Sequence, residues 1–101
     1  MNLDFTKITE FEWDKGNLEH IKKHKVIYEE CEQIFRNIPL FITEDDTHSQ
    51  IEKRFRVYGK THQDRVLCLI YIIRKHKIRV ISARDQNKKE RLQFKKGGGL
   101  T

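Results

Sequence analysis

The sequence predicts an α+β fold: a mainly antiparallel sheet of four to five strands, two N-terminal helices packed on it, and a short C-terminal helix. Three observations predict it. Before Pro39, apolar residues recur at spacings of three and four, as on the buried stripe of a helix. After Pro39, apolar and charged residues alternate, which is the period of a half-exposed strand. Residues 66–73 then form an eight-residue apolar run rich in β-branched side chains, which suits a central strand and is too short to span a bilayer. The 101 residues suffice for one domain, placed at 1–96, with 97–101 as a flexible tail. Leu, Ile, Val and Phe supply 29 of them, enough for a small core although 36% of the chain is charged.

Each element has its own signal. Phe11-Glu12-Trp13 reads as a short strand, and Asp14 after it is a good helix N-cap. Asn17, Leu18, Ile21 and Lys25 keep helical spacing, giving a first helix over 15–24. Ile27, Cys31, Ile34, Phe35 and Ile38 form one stripe of a second helix over 27–37. Pro39 cannot continue that helix and opens an edge strand over 40–43, followed by an acidic loop over 44–50. In 52–60, Phe55 and Val57 point inward, while Arg54, Arg56, Tyr58 and Lys60 point outward. A turn at 61–64, the central strand, a tight basic turn at 74–77 and a strand over 78–83 complete the sheet. Asn87 with Glu90 three residues on resembles a capping box, so a last helix covers 88–95. Sheet layers of this kind leave the face opposite the early helices, or the sheet's end, open to a ligand.

Charge says what kind of ligand. Residues 1–50 carry 6 Lys+Arg against 11 Asp+Glu, whereas residues 51–96 carry 15 against 4. Basic residues interleaved with apolar ones make a folded basic face, the footprint of a phosphate-backbone partner. Other classes find no support. The N-terminal residues lack the apolar core of a signal peptide, and Cys31 and Cys68 read as reduced, buried small hydrophobes, which fits a cytoplasmic setting. No C-x-x-C spacing, Ser-His-Asp arrangement or phosphate-cradling glycine loop is present.

Three stretches together resemble a known family. The first is Phe11-Glu12-Trp13-Asp14-Lys15-Gly16-Asn17 with His20, His24, Val26, Glu29-Glu30 and Phe35. The second is Arg54-Phe55 with Gly59-Lys60-Thr61 and Arg65. The third is Arg79-Val80-Ile81-Ser82-Ala83-Arg84-Asp85 with Lys89-Glu90-Arg91. Their order and spacing, over about residues 10–95, resemble the BrnT family of type II toxin–antitoxin toxins. The resemblance implies a RelE-like fold, ribonuclease activity without a metal cofactor, and a BrnA-type antitoxin bound as a hetero-oligomer. It also implies that this complex represses its own promoter, with DNA contacted only through the antitoxin. Three positions depart from the pattern. Lys25 stands where many members have Gly after the first helix, Ile27 where a Ser or Thr often caps the second, and Asp64 where a turn Gly often precedes Arg65.

RNA is cleaved when its 2′-hydroxyl attacks the adjacent phosphate, which requires proton transfer and cations for the developing charge. Histidine suits the first role and arginine the second. Asn17, His20 and His24, at i, i+3 and i+7, share one helical face. His24, Arg54 and Arg84 are therefore expected to be catalytic, and Asn17, His20, Lys60, Arg79 and Arg91 to bind RNA. For each there is a structural alternative: His20 contacting the sheet, His24 bonding the helix's free carbonyls, the arginines acting as solvated charges. Trp13 is open to base stacking or to packing. His20-x-x-x-His24 lacks a third ligand for a metal. Competing with a ribonuclease are a non-catalytic nucleic-acid-binding module and a protein-interaction module with an acidic partner.

Overall fold

The computed structural model describes residues 10–45 and 52–97. The chain runs β1 (Glu10–Phe11), α1 (Lys15–Lys22), α2 (Tyr28–Arg36), β2 (Phe41–Glu44), β3 (Phe55–Lys60), β4 (Val66–Arg74), β5 (Lys77–Asp85) and α3 (Lys88–Lys96). The five strands lie in the order β1-β5-β4-β3-β2, all antiparallel except β1 on β5. The predicted α+β class and all eight predicted elements are present. Most of the loop expected at 44–50, and the tail beyond Gly97, lie outside the described residues.

The helix signals act as read, with local differences. The Asp14 side chain accepts from Asn17 N (3.1 Å), and Asn17 Oδ1 accepts from Asp14 N (2.8 Å), closing a box at the start of α1. Asn87 and Glu90 do the same for α3. Ile27, at the N-cap of α2, has no side-chain acceptor, so only Glu30 Oε1, accepting from Ile27 N, survives of its box. α1 ends at Lys22, two residues before the expected end, and the chain reverses through Lys25 at φ 58°. Asp64 also has positive φ, at 66°. Both positions that the family pattern gives to glycine are therefore left-handed, and here L side chains bear the strain. Lys75 and His76 have positive φ too, as a two-residue hairpin turn between right-twisted strands requires.

One face of the sheet is covered by α1 and α2. Ile21, Val26, Cys31, Ile34 and Phe35 pack there against Val57, Leu67, Leu69, Tyr71, Ile78, Val80 and Ala83. Gly59 lets α2 approach β3, since a Cβ there would collide with Ile34. The other face is not bare, contrary to the one-sided layering expected: α3 crosses one end of it and buries Phe94 against Tyr58 and Cys68. Burial pushes the Cys31 thiol up to about 12 and the Cys68 thiol up to about 11, so both are inert protonated thiols.

β5 contains the decisive irregularity. Ile70 pairs with Ser82 but Tyr71 pairs with Val80, so Ile81 is an extra residue, a β-bulge. Ile78 and Val80 face the helices before it, and Ala83 after it. Without the bulge, the strict alternation of a strand would turn residues 78, 80, 82 and 84 to one side. With it, Ser82 and Arg84 face the open side.

Two expectations follow for stability. Lys25→Gly relieves left-handed strain and is expected to raise the unfolding free energy by about 1 kcal/mol, read by urea denaturation. The Tyr71 hydroxyl is buried without a hydrogen-bond partner among the described residues, while its ring packs on Phe35 and Phe55. Tyr71→Phe is expected to stabilise by about 1 kcal/mol, because it removes a desolvated polar group and keeps the packing.

Candidate functional site

On the open face, beside α3, lies a cavity of about 290 Å³ lined by His20, Asp45, Arg54, Arg56, Cys68, Ile70, Ile81, Ser82 and Arg84. Its floor is β4 and β5, and its walls come from the start of β3 and from α1. α1 reaches it because of where β1 stops. β1 pairs with β5 only at Lys77 and Ile78. Past that point the Asn17 amide takes over, donating to Val80 O (3.2 Å) and to Glu12 O (2.9 Å). His20, one helical turn further, then stands beside the bulge at Ile81.

The structure divides the sequence-predicted residues into two groups. His20, Arg54 and Arg84 come together in the cavity. Asn17 is only 4% exposed and spends its side chain on the cap and the two carbonyls. His24 lies past the end of α1, near Asp85, whose carboxyl it helps hold down after the larger effect of Arg65. The single helical face expected for Asn17, His20 and His24 therefore loses its last member, because the helix ends early. Lys60 is 4.0 Å from Asp64 and outside the cavity. Arg79, expected to bind RNA, has a side chain only 17% exposed and bonds Glu12 (3.0 Å) and Asp14 (2.8 Å). Arg91 donates to Gln86 O (2.7 Å) and caps the turn before α3. Trp13 takes the packing alternative, with Nε1 on Glu32 (2.9 Å) and its ring 5.9 Å from Tyr28.

Electrostatics distinguishes the cavity's arginines. Arg84 forms a bidentate pair with Glu90 (2.6 and 2.9 Å), and Glu90 is only 6% exposed. The pair pushes the guanidinium further above its already high range. Burial alone would raise the Glu90 carboxyl, but the Arg84 bond and the Asn87 N–H outweigh it and hold it below its ordinary 4.5. Arg56 has no carboxylate partner among the described residues, and its Nε is buried without a hydrogen bond. Counting Asp45 and Glu90 against the three arginines leaves a surplus of one positive charge, before any on His20. Sequence reasoning missed Arg56, Asp45 and Ser82. For Arg56 the signal was present, since alternation in β3 already turned it outward with Tyr58. For Ser82 it was hidden by the bulge. Among the described residues, no group of three or more His, Cys, Asp or Glu side chains is placed to hold a metal ion, and no helix is long and apolar enough to cross a membrane.

A second cluster is structural. Arg65 binds Asp85 (2.7 and 3.2 Å), both Glu30 oxygens (3.0 and 3.1 Å), and the carbonyls of Lys25 (2.9 Å) and His24 (3.3 Å). It ties the α1–α2 turn and the start of α2 to the end of β5.

The described residues thus form a small α+β domain with a cationic cavity on its sheet and a histidine in the cavity's lining. Residues 13–90 match the family described as the ribonuclease toxin, BrnT, of type II toxin–antitoxin systems, and the chain belongs to that family. No curated protein matches the chain closely enough to count as a relative.

The Arg84–Glu90 pair sets a pH dependence. Because the folded Glu90 carboxyl titrates below 4.5, it contributes stability that is present above that pH and lost as pH falls through the lowered value. Wild type is therefore expected to lose unfolding free energy as pH drops below about 4.5, and Glu90→Gln to flatten part of that slope in acid denaturation monitored by circular dichroism.

Proposed function

We propose that this family member is a metal-independent endoribonuclease that inhibits translation by cutting RNA in the open-face cavity. The observation that carries the reading is the convergence of His20 with Arg54, Arg56 and Arg84 in one cavity. The chemistry needs nothing beyond the RNA. The 2′-hydroxyl gives up its proton as its oxygen forms a bond to phosphorus, the bond from phosphorus to the 5′-oxygen breaks as that oxygen takes up a proton, and a 2′,3′-cyclic phosphate and a 5′-hydroxyl result. His20 is the proton-transfer group, because among the described residues it is the histidine that lines the cavity. Arg54 and Arg84 hold the phosphate oxygens as negative charge grows on them. Arg84 enters this role already fixed by Glu90, so its orientation costs little when substrate arrives.

The partner reading rests on the family. A type II toxin has a protein antitoxin, and we assign a BrnA-type antitoxin that forms a hetero-oligomer by covering the basic cavity. The complex represses its own promoter, and the antitoxin makes the DNA contacts.

The test is cleavage of total cellular RNA by antitoxin-free protein in EDTA. Wild type is expected to cut, His20→Ala to lose about 100-fold or more in rate, and Arg54→Ala to lose about 10-fold or more. His24→Ala is expected to stay within about twofold of wild type, as befits a residue outside the cavity. RNA that is bound in a salt-sensitive way but left intact would make the chain a binding module instead.

A further inference from the structure

Among the described residues, Arg56 is the cavity arginine for which no carboxylate partner is found. It sits in the middle of the β3–β4 ladder, opposite Ile70, on the face away from α1 and α2. Arg84 is neutralised by a buried carboxylate, whereas Arg56 has none among the described residues. Its guanidinium lies by the Tyr58 hydroxyl, a neutral neighbour that itself donates to Gln93 (3.4 Å). Its Nε–H is buried with no acceptor among the described residues. A buried, charged donor without a partner is costly, and folding alone does not select it. The group does fit a tetrahedral oxyanion, which offers two oxygens to the guanidinium fork.

We propose that Arg56 is the phosphate anchor of the cavity: its guanidinium holds the non-bridging oxygens of the bound phosphodiester, and the same site takes a free phosphate monoester. This deepens the ribonuclease reading and rests on it for the identity of the substrate. The anchor role concerns the ground-state phosphate, so it has a readout independent of turnover. Arg56 is not in the family motif stretches, and only its place on the open face singles it out.

The experiment measures binding of inorganic phosphate and of adenosine 3′-monophosphate by calorimetry at constant ionic strength, with thermal melts of each protein. Wild type is expected to bind both and to melt higher in their presence. Arg56→Gln is expected to bind at least fivefold more weakly while melting, without phosphate, no lower than wild type. A smaller loss of affinity overturns the proposal, as does a lower melting temperature with unchanged phosphate binding. Should Arg56→Gln fail to fold, Arg56→Lys keeps the charge, drops the fork and is held to the same fivefold threshold. The two readings fail separately. Phosphate binding through Arg56 without RNA cleavage would remove the ribonuclease and keep the anchor. Cleavage that survives Arg56→Gln together with unchanged phosphate binding would remove the anchor alone.

Discussion

The fastening of α1 along the edge of β5 is the constraint on which the open face depends. At one end, Asn17 donates to the Val80 carbonyl where β1 has stopped pairing. At the other, Arg65 gathers the His24 and Lys25 carbonyls, Glu30 and Asp85 into one cluster. Bonds between ionised groups are the stronger kind, and Arg65 makes several from one planar fork. Between these two ties stands His20, on a helix of only eight residues that would not hold its direction alone. Placing an imidazole over a sheet thus needs an amide at the strand edge and a guanidinium at the turn, from two residues outside the cavity lining.

The second constraint is the bulge at Ile81. One inserted residue reverses the facing of the strand beyond it, so that Ala83 stays in the core while Ser82 and Arg84 reach the cavity. Glu90 then settles what Arg84 can do. It caps α3 and neutralises Arg84 with the same carboxylate, linking the position of the last helix to the rim of the site. Arg56, the cavity arginine without a carboxylate partner among the described residues, lies on β3.

Much of this was legible in the sequence, for local reasons. The boxes at Asp14 and Asn87, the basic hairpin at Lys75-His76 and the shift from helical to strand period after Pro39 are each set by a few neighbouring residues. The left-handed turns at Lys25 and Asp64 were legible by comparison with the family pattern. What could not be read depends on contacts distant in sequence. A bulge looks like ordinary alternation until the register with β4 is known. Arg84 and Glu90 are six residues apart, on a strand and on a helix, so neither period pairs them. His24 was placed on one helical face with Asn17 and His20 because α1 was read two residues too long, and in a helix two residues amount to more than half a turn. The pairing of Arg79 could not be read because its partners, Glu12 and Asp14, come from the far end of the chain.

The most direct test of the cavity as the RNA site is a backbone and side-chain NMR titration of wild-type protein with a short 2′-O-methyl RNA, which binds but lacks the attacking hydroxyl. Resonances of His20, Arg54, Arg56, Ser82 and Arg84 are expected to shift together, while those of His24, Lys60 and Arg91 stay in place. Shifts centred on Lys60 and Arg91, with His20 and Ser82 unmoved, would put the RNA elsewhere and contradict the assignment.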